Sequence, residues 1–477
     1  MMSDSSASLD AKPPLWPKLL PLVLLLGLLA LAEHRRGHTG PTGSMHGASP
    51  TAASYTLDAA LGTIQLGRSA NTRVWSYNGT VPGTTLRVKV GEPLHVTLNN
   101  HLPQPTTIHW HGVRVPNAMD GVPGVTQPPV EPDDSFEYVF RPKDPGTFWF
   151  HPHVRGSEQV ERGLYGVLIV EDAEPAPWSR DVVWVLDDWR LTKADQVDGR
   201  FNTPHDLMHD GRWGNWITVN GNPNEELVVK PGERLRLRLV VVANGRVFAP
   251  DFSELDAKVI AVDGMYAERD LDPADFDLAP GNRLDLDLRI PSDAGGRSFE
   301  IFDRFTRRAN KLATIVVEDT KAVPTPDFPS LASARLPTWD GAQQREPDIT
   351  YVLAAKRGGD YGISWTLNDR VYGEDSPAHM KLGRWVKVRF ANNSGRLHPM
   401  HLHGVFFRVL ARNGEPALEP HFRDTVLVRP RETVDVGMIP GDAGRWALHC
   451  HILEHAEAGM MTTFVVSEED GHVEAVD

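Results

Sequence analysis

The strongest pattern along the chain is a two-residue alternation. From Arg234 to Leu239 the sequence runs Arg-Leu-Arg-Leu-Arg-Leu, and side chains two apart on a strand share a face. The alternation predicts a strand with one apolar and one solvated face, as in a sandwich of antiparallel sheets. The unit occurs three times: "SYNGTVPGTTLRVKVGEPLHVTLNN" from Ser76, "TVNGNPNEELVVKPGERLRLRLVVVANG" from Thr218 and "TLNDRVYGEDSPAHMKLGRWVKVRFANN" from Thr366. Each copy has an Asn with Gly or Asp at a turn, a Gly before a charged residue, and an alternating strand that ends near an Asn. The anchors Asn78, Asn220 and Asn368 lie 142 and 148 residues apart, the period of a whole domain. An all-β chain of three tandem β-sandwiches follows.

The units are expected at residues 54–172, 173–319 and 349–477. Residues 320–348, rich in Pro and without periodicity, read as the connector between the second and third. Ahead of the first unit, Leu19 to Ala32 is a 14-residue apolar run preceded by Lys12 and Lys18, too short for a comfortable membrane span. Ala30, Leu31 and Ala32 form an A-x-A cleavage signature, so residues 1–32 are expected to be a secretory signal, with an uncleaved anchor as the competing reading. Residues 33–53, with His34, His38 and His46, are expected to be a flexible tail. The mature protein is then exported, to a bacterial periplasm or the extracellular space, and meets a membrane only if the leader is retained.

Composition adds two constraints. A formal charge of -14 argues against a nucleic-acid partner. The chain of 477 residues holds one cysteine, so in an oxidising compartment it can form no internal disulfide. That thiol, Cys450, sits in "HCHILEHAEAGMM" between two histidines. A buried structural cysteine needs no such neighbours. Thiolate, imidazole and thioether together are the ligands of a blue copper site, and His455 and Met460 follow five and ten residues later.

Ten of the 20 histidines fall in four motifs: "HWHG" (His109, His111), "HPH" (His151, His153), "HPMHLHG" (His398, His401, His403) and "HCH…H" (His449, His451, His455). The first two lie in the first unit and the last two in the third. The middle unit has none. An H-x-H pair on a strand points both imidazoles to one face, so four pairs present more nitrogens than one ion can use. In the tripeptide His449-Cys450-His451 the histidines face one way and the cysteine the other, so two metal centres are joined through a covalent route of about 10 Å. A zinc hydrolase would need fewer ligands and give the thiol no role.

These motifs, in this order at the two ends of a three-unit chain, resemble the multicopper oxidase family, in particular its bacterial three-domain laccase-like members. Further matches are "YNGTVPGTTLRV", "DGVPGVTQ" and "RDTV" at Arg423 to Val426. The resemblance implies three cupredoxin-like Greek-key domains and four copper ions, one of type 1, one of type 2 and two of type 3. It gives His398, Cys450 and His455 to the type 1 copper with Met460 axial, and His109 and His401 to the type 2 copper. It gives His111, His151 and His451 to one type 3 copper, and His153, His403 and His449 to the other.

By the same resemblance, a small reducing substrate gives up electrons singly at the type 1 site, through the edge of His455, and four electrons reduce O₂ to water between the first and third units. Phenols, aromatic amines and Cu(I) are donors of such enzymes. With 11 scattered methionines and no Met-rich insertion, organic phenols are the favoured expectation. Asp120, nine residues after His111, matches an acidic residue near the trinuclear site. A second family carboxylate directly follows the type 1 histidine. This chain has Ala456 there and Glu457 next, so both Asp120 and Glu457 are candidate proton-handling residues. The alternative function is a copper-buffering envelope protein without turnover. The oligomeric state is taken as monomeric.

Overall fold

The computed structural model describes residues 52–468 except Pro175, Asp375 and Leu418. The expected leader and the histidines His34, His38 and His46 lie outside the described residues. Among the described residues no helix is long and apolar enough to cross a membrane.

Six sheets form three sandwiches in chain order. The first pairs two four-stranded sheets, the second a six- with a four-stranded sheet, and the third a six- with a five-stranded sheet. Each pair encloses its own apolar core, around Leu57, Val96 and Phe148, around Leu237, Leu286 and Ile315, and around Val388, Val409 and Phe464. Strands of the sandwiches occupy 53–171, 180–317 and 349–467, and the Pro-rich residues between the second and third carry no strand.

The repeated Asn anchors have one physical cause. Asn78, Asn220 and Asn368 have φ of 57°, 55° and 53°, a left-handed conformation that Asn tolerates better than most residues. Each side chain clamps the first strand of its own unit. Asn78 Oδ1 accepts from the Asp58 amide at 2.8 Å while its Nδ2 donates to the Thr56 carbonyl at 2.9 Å. Asn220 repeats this on Val185 and Val183 at 2.9 and 3.0 Å, and Asn368 on Val352 and Thr350 at 2.7 and 2.9 Å. One residue thus sets the turn and the register together.

One expectation fails. The polar face of strand Arg234–Val241 is buried, not solvated. Arg234 forms a bidentate pair with Asp287 at 2.9 and 2.7 Å, Arg236 pairs with Asp285 at 2.6 Å and Asp172 at 3.0 Å, and Arg238 pairs with Asp181 at 2.6 Å and Asp285 at 3.2 Å. The reason is a matching alternation on the antiparallel neighbour Arg283–Arg289, which sets Asp287 opposite Arg236 and Asp285 opposite Arg238. The first domain covers this face, where Thr147 Oγ1 accepts from Arg238 at 2.7 Å. The connector covers it too, through the Pro326 and Phe328 carbonyls at 3.2 and 2.8 Å from Arg234. Alternation reports the face of a strand, and a neighbouring domain decides whether that face meets water.

The first and third domains place their histidines alike. In the first, His109 pairs with His151 across adjacent strands. In the third, strand His398–Leu402 lies beside Gly444–Cys450, with His401 opposite His449 and Met400 opposite Cys450. His398, three residues before His401, emerges on the opposite face.

Removing one partner from a buried charge pair leaves the other uncompensated, so Arg236→Met should lower unfolding free energy by about 3 kcal/mol or more. Loss of the exposed pair Lys311–Glu300 should cost less than about 1 kcal/mol. Urea unfolding of both variants checks this, and equal effects would refute the role given to the ladder.

Candidate copper centres

His398, Cys450 and His455 converge on one buried point. Cys450 Sγ lies 3.6 Å from His398 Nδ1 and 3.7 Å from His455 Nδ1, and the two Nδ1 atoms are 3.2 Å apart. The centre of such a triangle is about 2 Å from each corner, a metal–ligand bond length. The opposite ring nitrogens are tied down. His398 Nε2 meets Ser394 Oγ at 2.9 Å, and His455 Nε2 donates to the His209 carbonyl at 2.6 Å. Donation to a carbonyl leaves the His455 lone pair on Nδ1, directed at the other two donors. Met460 is buried beside them, and its carbonyl accepts from the Cys450 amide at 3.0 Å. Burial pushes the Cys450 thiol up, so in the apoprotein the proton stays on sulfur and a cation must displace it.

The other eight histidines form a second cluster. His153, His403 and His449 bring their Nε2 atoms together, at 3.3 Å for His153 to His449 and 3.1 Å for His403 to His449. His109 and His401 each donate Nδ1–H to a backbone carbonyl, of Asp120 at 2.9 Å and Asp424 at 3.0 Å. Both are left with a buried Nε2 that has no partner. His151 is held the same way by the Pro152 carbonyl at 3.0 Å. His111 is reversed: its Nε2 meets Asp424 Oδ1 at 3.1 Å, which frees Nδ1. Neither ring nitrogen of His451 has a partner. Buried polar atoms without partners are rare and costly, and here six ring nitrogens of five histidines are in that state. A set of convergent, unpartnered imidazoles beside a thiol fits copper.

The imidazoles are tuned for this. Burial first, then neighbouring imidazoles, hold His111, His151, His153, His403 and His451 well below the ordinary histidine value. Burial lowers His449 and His455 to about 3. All are neutral lone-pair donors at pH 7.

Each expected residue has a definite place. Asp120 is fully buried, with Oδ2 2.9 Å from His403 Nδ1 and Oδ1 3.3 Å from His109 Nδ1. It therefore orients two rings. Glu457 ends the short helix Leu453–Glu457 and lines a cleft of about 220 Å³ that reaches His151, His153 and His449. Burial raises its pKa. The ring of His455, whose edge was expected to meet the substrate, is 0 % exposed. The carbonyl of His209 covers it.

Sequence reasoning missed two residues here. Asp424 lies in the quoted "RDTV" and bonds both His111 and Arg283, whose Nη2 is 2.7 Å from Asp424 Oδ2. Burial would raise this carboxyl, but Arg283 and the His401 hydrogen bond outweigh it and hold it below the ordinary carboxylate range. Asp263 beside it, buried and facing that charge, is pushed up to about 6. Arg283 belongs to the domain without histidines, so no motif pointed to it. The glycine of "HWHG" could have done so: Gly112 has φ +81°, and a Cβ there would lie 2.3 Å from Arg283 Nη2 and 2.4 Å from Asp424 Oδ2.

Comparisons with known proteins identify the family. Three family models, each described as multicopper oxidase, match residues 59–175, 180–317 and 343–470. The chain is 28 % identical over 425 residues to multicopper oxidase MmcO of Mycobacterium tuberculosis, covering 81 % of this chain and 82 % of that one. Among solved structures it resembles a multi-copper oxidase from Pseudomonas thermotolerans, with 32 % identity, a TM-score of 0.78, and 88 % of this chain and 100 % of that one covered. It also resembles a laccase from Pediococcus acidilactici, with 27 % identity, a TM-score of 0.73, and 87 % and 90 % covered. The chain belongs to the multicopper oxidase family, and it is an oxidoreductase that passes electrons from a reducing substrate to O₂.

Proposed function

We propose a laccase-like oxidase that holds four copper ions and takes electrons one at a time from phenols, aromatic amines or Cu(I). The observation that carries this reading is the convergence of lone pairs at two buried centres joined by His449-Cys450-His451. His398 Nδ1, Cys450 Sγ, His455 Nδ1 and Met460 would hold the type 1 copper. His109 and His401 supply Nε2 to the type 2 ion. His111 Nδ1, His151 Nε2 and His451 serve one type 3 ion, and the Nε2 atoms of His153, His403 and His449 the other. When bound, copper would supply the one-electron redox chemistry by which four electrons from the donor and four protons convert O₂ to two waters.

The protein residues have distinct tasks. Cys450 joins the centres through its own backbone, along buried residues. Asp120 fixes the rings of His109 and His403, and Asp424, charged and pinned by Arg283, fixes His111 and His401. Glu457 stands in the cleft beside His153 and His449, where a carboxyl whose pKa is raised by burial holds a proton for O₂ reduction. The shift from position 456 to 457 turns this carboxyl about 100° around the helix axis, toward the cleft that it lines with His153 and His449. Export through residues 1–32 and a monomeric state are part of the proposal.

The visible spectrum of the copper-loaded, air-oxidised protein tests the reading. A strong thiolate-to-copper band should bleach with a phenol under limited oxygen and return with air. Copper binding without that band would favour the buffering alternative. Cys450→Ser should remove the band and reduce phenol oxidation by at least about a thousandfold, the scale on which catalytic machinery fails when an essential member is lost. Retained turnover would refute the electron route.

The buried imidazoles also predict a pH response of the apoprotein. Unfolded histidines titrate near 6.5, whereas His449 and His455 stay neutral in the fold down to about 3. Their folded pKa values are depressed, so the unfolded chain takes up protons first as pH falls. The stability they contribute is complete above about pH 6.5 and is lost progressively below it. The apoprotein's unfolding temperature should fall between pH 7 and 5, and bound copper should oppose the fall. A flat profile over that range would contradict the neutral, buried state of the rings.

A further inference from the structure

The first hairpin of the chain outruns its own sandwich. Strand Ala53–Leu66 pairs with Leu94–Asn100 as far as Ala59, and from there on with Ser69–Tyr77. The register sets Leu61 opposite Trp75 and Thr63 opposite Arg73. Residues directly opposite share a face, as do residues two apart on one strand. On that face Leu57 and Ala59 fill the core of the first domain, whereas Leu61 has left it and is 64 % exposed. The other face carries Ile64, Leu66 and Val74 into an apolar cluster with Val185, Trp189 and Leu191 of the second domain. The arm is therefore fixed by one face and open on the other.

The open face lines a cleft of about 630 Å³ between the first and second domains, completed by Arg162 and Gln196. The fold itself holds its walls. The Trp75 amide donates to the Arg162 carbonyl at 2.8 Å. Gln196 Oε1 accepts from the Arg73 amide at 3.1 Å, and Gln196 Nε2 donates to the Asn71 carbonyl at 3.1 Å. Charge sets this cleft apart. In a chain of net charge -14 its lining holds two guanidiniums and no carboxylate. Arg162 lies over the Trp75 ring at 4.9 Å and donates Nε and Nη2 to Glu158 at 2.9 Å, which leaves Nη1. The Arg73 guanidinium donates Nε to Gln196 at 3.4 Å, and among the described residues no carboxylate pairs with it. Its two Nη groups form a planar fork that matches a carboxylate.

We infer that this cleft binds an aromatic carboxylate, its anionic end on Arg73 and Arg162 Nη1 and its ring on Leu61 and Trp75. The site is independent of the donor chemistry proposed above, because no residue of the third domain and no expected copper ligand lines it. Its volume falls within the range of small-molecule sites, about 300–1,000 Å³, and its mixture of apolar walls with a few polar groups is typical of them. Paired guanidinium–carboxylate hydrogen bonds supply orientation as well as energy. A compact inorganic anion would leave Leu61 and Trp75 uncovered, and a neutral aromatic would leave Arg73 without an anion. A ligand with both parts satisfies the whole lining. Because the arm and Gln196 belong to different domains, such a ligand also ties the first domain to the second, and binding to the folded state raises its stability.

The probe is 2-naphthoate, an aromatic carboxylate without a phenol, titrated calorimetrically into the copper-loaded enzyme. The variants Arg73→Gln and Leu61→Ser alter exposed side chains, so both should keep the wild-type far-ultraviolet spectrum. Wild type should take up a single equivalent, and saturating naphthoate should raise its unfolding temperature. Arg73→Gln should weaken binding about tenfold or more, the scale of a hydrogen bond to a charged group. Leu61→Ser should weaken it about threefold or more through lost apolar contact. Neutral 2-naphthamide should bind wild type about tenfold more weakly than naphthoate, and should lose nothing further in Arg73→Gln. Phenol oxidation by both variants should stay within about twofold of wild type. Absence of saturable binding to wild type, or equal affinity in Arg73→Gln, would overturn the site. Phenol turnover that falls in step with naphthoate affinity would overturn its independence from the donor site.

Discussion

The constraint on which the rest of the structure depends is that many buried lone pairs must face one another. Among the described residues, six buried ring nitrogens of the eight-histidine cluster have no partner, and such atoms would each turn toward a donor if the rings were free. The fold prevents this by gripping most of these rings from behind. The carbonyls of Asp120, Asp424, Pro152, Cys450 and His209 hold His109, His401, His151, His449 and His455. Side chains hold His403, His111 and His398. Most of these grips are backbone atoms, so the strands themselves set which nitrogen points inward. Asp120 and Asp424 serve twice, each with its carbonyl on one ring and its carboxylate on another.

The middle domain owns no ligand, yet both centres lean on it. Arg283 neutralises Asp424, and Gly281 comes so close that a Cβ there would lie 2.8 Å from His111 Cε1. At the type 1 side, residues 207–212 roof His455. Asn244, at the end of the alternating strand, shows the divergence most directly. Its counterparts Asn100 and Asn392 bond carbonyls of their own domains, whereas Asn244 reaches Ser157 of the first domain and Glu454 of the third, at 2.8 and 2.9 Å. The same residue type at the same place has passed from local turn to interdomain strut. The buried Arg–Asp ladder has the same sense: specificity of docking between domains, at a desolvation cost that the paired geometry must offset.

What could be read from the sequence was what local periodicity carries. The anchors Asn78, Asn220 and Asn368 are legible because one residue fulfils a φ requirement and two hydrogen bonds within its own unit. The H-x-H pairs are legible because a strand repeats every two residues. The solvated face expected for Arg234, Arg236 and Arg238 was wrong because the first domain and the connector cover it, and their Asp partners lie about 50 residues further along the chain or about 60 residues before it, beyond any local pattern. Arg283 was invisible for a similar reason. The concealment of His455 depends on a carbonyl 246 residues away, and a backbone carbonyl leaves no trace in residue identity.

That concealment divides the work of the enzyme between domains. The first and third supply every residue of the expected ligand set, so changes there act on metal retention and O₂ chemistry. The cover over His455 belongs to the second domain, a turn whose inward residues Asp206 and Leu207 are fixed and whose residues His205, Met208 and His209 are exposed. Side chains on that outward face can change without moving His455, because what holds the imidazole is the backbone of His209. The placement of His455 is thus separable from the side chains exposed on that turn, and the separation follows from a single hydrogen bond made by a main-chain oxygen.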